Sequence, residues 1–150
     1  MIRILIFSFI IAVFAGHASA APRIISAPEA ANAVNSGDMI LIDIRSPGEW
    51  AETGVAEGAV ALTMHSPDFP RKISAVLKGQ HGKSIALICA TGGRTGYVVS
   101  LLSKDGFKGV IDVSEGMVGN ERGPGWIARG LPLVSANEAK EAYQKLILSR

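Results

Sequence analysis

Apolar residues in this chain gather into short blocks separated by polar, glycine-rich or proline-containing segments. Met39-Ile40-Leu41-Ile42, bounded by Asp38 and Asp43, is one continuous apolar run, and Ser84-Ile85-Ala86-Leu87-Ile88 is a second. Runs of this length without alternation predict strands buried on both faces. Val110, Ile111 and Val113 predict a third strand, and Ala59-Val60-Ala61-Leu62 a weaker one. Helices are predicted between them. Ser26-Ala27-Pro28-Glu29 has capping-box spacing and opens an alanine-rich stretch to Val34 that stops at Asn35-Ser36-Gly37. Ser46-Pro47-Gly48-Glu49 repeats the start signal and leads into Trp50, and residues Asp68 to Lys78, with Pro70 near the start, read as another helix. Tyr97, Val98, Leu101 and Leu102 have helical spacing that ends at Asp105-Gly106, and they read as core or near-core positions. A last capping box, Ser135-Ala136-Asn137-Glu138, precedes an amphipathic helix from Ala139 to Leu148. Gly116 to Gly125, with Pro124, is a loop that either closes over a site or simply connects.

Strands and helices therefore alternate, and no hairpin dipeptide joins two strands. That order predicts an α/β fold with a central, mainly parallel sheet flanked by helices on both faces. Ligands in such sheets gather at the carboxyl ends of strands, where Asp43 and Cys89 both stand. The first twenty residues form no part of this pattern. Arg3, an almost uninterrupted apolar stretch from Ile4 to Gly16, and Ala18-Ser19-Ala20 before Ala21 read as a cleaved export signal, with an uncleaved anchor the alternative. The apolar stretch is short for a bilayer span, which needs about 20 residues. Residues 21–150 then form a single domain, periplasmic or secreted, with no stable membrane span once the signal is removed. Its formal charge falls from +2 to +1 without Arg3, and the basic residues are scattered, which argues against nucleic acid as a partner. One cysteine excludes an internal disulfide and leaves a thiol that is either inert through burial or reactive.

The surroundings of that thiol favour reactivity. Cys89-Ala90-Thr91-Gly92-Gly93-Arg94-Thr95-Gly96 runs from a strand through a glycine turn into a helix. Successive N–H groups and one guanidinium can converge on a single sulfur or bound anion there. A nucleophilic cysteine must ionise near neutral pH, so the ordinary thiol value of about 8.5 has to fall by a unit or more, which several donors and a cation can achieve. No histidine base is needed: His65 and His81 lie outside the turn. Asp112 reads equally as a general acid or as a structural acceptor beside the third strand. No grouping of His, Cys, Asp and Glu has metal-ligand spacing, and no dinucleotide fingerprint is present, so neither a metal nor a cofactor is expected.

Together these residues resemble the single-domain rhodanese, or sulfurtransferase, family from about Ser26 to Leu133. The carriers are Leu41-Ile42-Asp43-Ile44-Arg45 with Glu49-Trp50, then Gly54 and Gly58-Ala59-Val60, then the cysteine turn. Gly109-Val110-Ile111-Asp112-Val113, Glu115-Gly116-Met117, Trp126 and Gly130-Leu131-Pro132 complete the pattern. The resemblance implies a sulfurtransferase that carries sulfane sulfur as a persulfide on Cys89, from a small anionic donor such as thiosulfate or a persulfide to a thiol or cyanide acceptor. A partner protein can stand on either side of that transfer. Ala90, Thr91, Gly92, Gly93, Arg94 and Thr95 are the expected substrate-binding residues, with Arg94 either stabilising sulfur and donor or bracing the loop. Asp43, Arg45 and Glu49 are expected to give structural support, the last two as a brace four residues apart. Trp50 and Trp126 are expected packing anchors. Four residues separate Cys89 from Arg94, one fewer than is expected of cysteine phosphatases with a related fold, so the ring suits sulfur better than phosphate.

The chain departs from the pattern at three places. Ala90 and Thr91 stand where many thiosulfate-using relatives have basic residues, which weakens the expected grip on a dianion. Val55 and Glu57 replace the usual histidine and proline before Gly58-Ala59, and Val118 to Gly125 is longer than the common connection to the tryptophan. A non-catalytic binding or sulfur-delivery adaptor on the same fold is the alternative function.

Overall fold

A computed structural model describes residues 21–79 and 82–148. The expected export segment, residues 1–20, and His81 lie outside the described residues. The elements are β1 (Ile24–Ile25), α1 (Ala27–Asn35), β2 (Met39–Asp43), α2 (Pro47–Thr53), β3 (Val55–Ala56), β4 (Val60–Ala61) and α3 (Phe69–Gly79). They continue with β5 (Ser84–Ile88), α4 (Gly93–Lys104), β6 (Ile111–Val113), α5 (Gly125–Ala128), β7 (Leu133–Val134) and α6 (Ala136–Leu148). Five strands form one sheet in the order β1-β6-β5-β2-β4, every neighbouring pair parallel. The predicted α/β architecture is the observed one.

The unbroken apolar runs have a direct structural cause. Alternate residues of a strand point to opposite faces, so β2 sends Met39 and Leu41 into one core and Ile40 and Ile42 into the other. The first core packs α1 and α5 against the sheet through Ala27, Ala30, Ala31 and Trp126. The three small residues share one stripe of α1 and let that helix approach closely. The second core packs α3 and α4 through Phe69, Ile73, Val76, Val98, Val99 and Leu102. α6 lies along β4, meets α2 and α3, and contributes one buried residue to each core, Ala139 and Tyr143.

Three two-residue strands and two helical positions differ from expectation. β1 completes one sheet edge by pairing with β6, while β3 and β7 form a separate antiparallel pair. Such short strands carry no periodicity and exist because the tertiary fold brings their backbones together. Tyr97 and Leu101, expected near the core, are 61% and 41% exposed. They lie four residues apart on the outer face of α4, while Thr95, Val98, Val99 and Leu102 face the sheet. Trp50 and Trp126 are both buried, as expected of packing anchors, and the indole of Trp126 donates to the Pro132 carbonyl at 2.9 Å.

The segment after β6 is fastened by Glu115, whose buried carboxylate accepts from Ala27 N–H (2.7 Å), Gly125 N–H (2.9 Å) and Arg129 Nε (2.9 Å). This one side chain joins the starts of α1 and α5. Burial pushes its pKa up, but the Ala27 N–H, the Arg129 guanidinium and the Gly125 N–H outweigh burial and hold it below the ordinary glutamate value. The stabilisation is therefore complete above the unfolded value, about 4.3, and is lost as pH falls through the lowered folded value. Glu115→Gln strands a buried donor, a loss of about 1–3 kcal/mol. Thermal melts are expected to show the variant several degrees below wild type at neutral pH, with the gap narrowing in strong acid.

Candidate active site

Cys89 follows the last residue of the central strand β5 and is 1% exposed, with its side chain on the face covered by α3 and α4. The turn from Ala90 to Gly92 rises from it into α4. What fixes the direction of this turn is the segment after β6. Met117 N–H donates to the Cys89 carbonyl (2.8 Å), Val118 N–H to the Ala90 carbonyl (2.9 Å), and Asn120 Nδ2 to the Thr91 carbonyl (2.8 Å). The Gly92 carbonyl accepts Gly96 N–H (3.0 Å) and the Thr95 hydroxyl (2.9 Å). All peptides are trans among the described residues, so each carbonyl points opposite to the N–H that follows it in the same plane. With three successive carbonyls taken by the buttressing segment, the N–H groups of Ala90, Thr91 and Gly92 turn away from it, and the Gly93 N–H opens the helix. None of the four has a hydrogen-bond partner among the described residues. They are free donors at the amino end of a twelve-residue helix, where negative charge is favoured.

Glycine is required at two points of this contact. Gly92 (φ +82°) lies against the Ser114 carbonyl and Gly116 (φ +68°) against the Ala90 carbonyl, so a Cβ at either would overlap backbone. Asn120 Nδ2 also bonds the Ser114 carbonyl at 2.8 Å, tying the tip of the segment to the end of β6. Gly116 to Gly125 thus neither closes over the sulfur nor merely connects elements. It is the rear wall of the cysteine turn, and Asn120, which nothing in the sequence pattern marks, is one of its fasteners.

Arg94 reaches across to α2, where Nη1 donates to Glu49 Oε2 (2.9 Å) and Nη2 pairs with Glu49 Oε1. Glu49 Oε2 also accepts from the Ser46 N–H and hydroxyl, at 2.9 and 2.8 Å. The hydrogen bonds from Arg94 lower the Glu49 pKa to about 2, with burial opposing and Ser46 assisting. Glu49 in turn raises the pKa of Arg94, with burial opposing and the neighbouring Cys89 sulfur adding to the effect. The expected brace between Arg45 and Glu49 is not formed. Arg45 instead makes a buried ion pair with Asp43, 2.7 Å between Nη2 and Oδ2, and also donates to Thr53 Oγ1 and the Gly54 carbonyl. The capping box holds Glu49 back toward Ser46 and Arg94, so the two arginines take different acids. Asp43 further accepts Arg45 N–H at 3.0 Å, which closes the backbone at the end of β2.

Thr95 completes the floor of the site. It is fully buried, and its hydroxyl lies 3.8 Å from Cys89 Sγ. Asp112, on the neighbouring strand β6, is in register with Leu87 and is buried, while His65 is exposed. No group of three or more His, Cys, Asp or Glu side chains suited to a metal ion occurs among the described residues. The structure thus gathers Cys89, Ala90, Thr91, Gly92, Gly93, Arg94, Thr95 and Glu49 at one place and leaves the Asp43–Arg45 pair beneath it as a frame.

Comparisons with known proteins agree with this arrangement. The rhodanese-like domain family matches residues 26–121. A sulfurtransferase of Allochromatium vinosum is 29% identical over 98 residues, covering 65% of this chain and 80% of that protein. Among solved structures, a rhodanese-related protein from Thermoplasma volcanium is 26% identical with a TM-score of 0.55, covering 75% of this chain and 97% of its own. The Alr3790 protein from Anabaena sp. shares the fold with a TM-score of 0.62 at 21% identity, covering 84% of this chain and 94% of its own.

Two measurements check the geometry. Gly130 (φ +66°) has open space around a Cβ, whereas Gly92 (φ +82°) does not. Gly130→Ala should cost only the left-handed backbone penalty of about 1–2 kcal/mol, and Gly92→Ala should lower the melting temperature further and alter the rate of Cys89 alkylation. The Arg94–Glu49 pair should persist to about pH 2, because a depressed carboxylate contributes above its unfolded value and is lost only as pH falls through the folded one. Carboxyl-carbon NMR of Arg94→Ala should show the Glu49 midpoint moving up toward the ordinary glutamate range.

Proposed function

The chain belongs to the rhodanese-like family, and from that membership we propose that it is a sulfurtransferase using Cys89 as the carrier. The observation that carries this reading is the cysteine turn, whose four free N–H groups follow the only cysteine of the chain. In the reaction the Cys89 sulfur anion attacks the outer sulfur of a donor. The donor's sulfur–sulfur bond breaks, and the leaving sulfite or thiolate takes the electron pair. Cys89 then carries a persulfide until a thiol or cyanide attacks its terminal sulfur and the Cys89 anion is restored. Negative charge stays within reach of the turn amides at each stage, so preorganised donors replace a separate base. Ala90, Thr91, Gly92, Gly93, Arg94 and Thr95 bind the transferred sulfur. Asp43, Arg45 and Glu49 hold the turn and its arginine in place.

Charge and access indicate the kind of donor. Glu49 offsets the charge of Arg94, and Ala90 and Thr91 add none, so the turn itself supplies no unpaired cation to hold a dianion. A persulfide with at most one charge on its reacting end suits this entrance better than thiosulfate, whether a small molecule or a partner protein presents it. The burial of Cys89 requires that the donor present its sulfur on a slender group. No helix among the described residues is long and apolar enough to cross a membrane, and removal of residues 1–20 on export remains part of this proposal.

Intact-mass spectrometry tests the reading. After treatment with a low-molecular-weight persulfide, wild type should gain the mass of one sulfur atom and lose it on adding cyanide or a thiol, with Cys89→Ala unchanged throughout. Thiosulfate should load the protein more slowly. No gain from either donor would favour the adaptor function.

A further inference from the structure

Two buried side-chain polar atoms lack a hydrogen-bond partner among the described residues, Asp112 Oδ1 and the indole Nε1 of Trp50. The second is a donor, on a side chain that is 3% exposed. Trp126 shows the ordinary arrangement, its indole N–H bonded to the Pro132 carbonyl at 2.9 Å. A buried N–H without an acceptor is costly, and a molecule that supplies one recovers that cost. Trp50 also lines an open cavity of about 380 Å³ between α2, the end of β4, α3 and α6. The missing acceptor and the cavity meet at one side chain.

The rest of the wall is rich in donors. Leu62 N–H and Met64 N–H run back to the Asp43 and Ile44 carbonyls, so alternation along the chain turns the intervening Thr63 N–H away from β2, and it has no partner among the described residues. The Thr63 and Ser66 hydroxyls accept the N–H groups of His65 (3.3 Å) and Asp68 (3.2 Å), which leaves their own protons to donate. Lys140, exposed on α6, has no ion pair among the described residues, and Lys72 is held only loosely, 3.8 Å from Asp68. Glu141 is the single carboxylate on the wall, so two ammonium groups face one acid there. Beneath them Ala61 and Leu62 are apolar and buried.

We propose that this cavity binds a small monocarboxylate with an apolar body. The carboxylate accepts from the Trp50 indole N–H, with Thr63, Ser66 and Lys140 as the further donors around it, and the hydrocarbon covers Ala61 and Leu62. Volume limits the ligand's size: at the roughly 30 Å³ that a water molecule occupies, the cavity holds about a dozen non-hydrogen atoms. One surplus positive charge on the wall matches one negative charge, and an inorganic phosphate would leave the apolar floor bare. No residue of the cysteine turn lines the cavity, but Pro47 and Trp50 belong to α2, the helix whose Glu49 holds Arg94. Binding there goes beyond sulfur transfer and does not depend on it.

Proton–nitrogen NMR of the purified protein reads both indoles at once, with Trp50 assigned by Trp50→Phe and Trp126 as internal control. Titration with phenylpropionate or octanoate should move the Trp50 indole proton downfield to saturation at millimolar concentration or below, and should leave Trp126 in place. Phenylpropanol, which keeps the body and loses the charge, should bind about tenfold more weakly, and inorganic phosphate should move neither resonance. Calorimetry should show phenylpropionate affinity falling about tenfold in Trp50→Phe, as expected for loss of one hydrogen bond to an anion. Lys140→Glu, a surface change that spares the core, should weaken it severalfold. A Trp50 resonance unmoved by both carboxylates, as when water alone serves the indole, overturns the site. So do equal movement of both indoles, equal affinity for the alcohol, a response to phosphate matching that to carboxylate, or undiminished affinity in Lys140→Glu.

Discussion

A peptide unit holds its carbonyl and its N–H on opposite sides of one plane, so whatever satisfies the carbonyls of a turn decides where its amides face. In this domain the deciding contact is between the cysteine turn and residues 116–120. Met117, Val118 and Asn120 take three successive carbonyls from behind, and the free amides must then face forward. Close approach of the two backbones is the condition for this, which explains glycine at Gly92 and Gly116. The parallel sheet sets it up by placing the ends of β5 and β6 side by side.

Four buried or half-buried acids stand at this end of the sheet, and their partners divide their work. Asp43 faces Arg45, Glu115 faces Arg129 and Glu49 faces Arg94. Each of these pairs joins segments distant in sequence or locks a chain reversal, and each places a guanidinium where a carboxylate would otherwise be stranded. Asp112 is the acid without an ion-pair partner among the described residues, and its strand runs beside the one that leads to Cys89. A buried acid without a cation is costly as an anion.

Much of this was legible in the sequence. β2, β5 and β6 were readable because burial on both faces demands unbroken apolar runs, and α1 and α2 because capping boxes write their starts explicitly. The cysteine turn was readable as a strand–glycine–helix junction. β1, β3 and β7 were not, since two residues cannot display a period. Tyr97 and Leu101 misled because apolar spacing on a helix does not say which of two adjoining stripes faces inward. The pairing of Arg45 and Glu49 followed from helical spacing alone, yet both side chains turned to partners that only the fold supplies. The bonds of Asn120 depend on contacts between separate strands and loops, which no local pattern encodes.

The distribution of charge bears on what this site selects. A free arginine at the mouth would draw in any small anion, including phosphate and sulfate, and hold it against the sulfur. Glu49 removes much of that attraction while keeping the guanidinium beside Cys89. What remains is a set of neutral N–H dipoles, whose field is short in range and strongest at the floor of the turn. Such a field does little for an anion in solution and a great deal for one formed in place by bond breaking. Under the proposed sulfur transfer, recognition is thus shifted from the charge of the arriving group to the charge left on sulfur. That shift is the physical reason a turn lacking lysine or a second arginine can still serve a thiolate carrier.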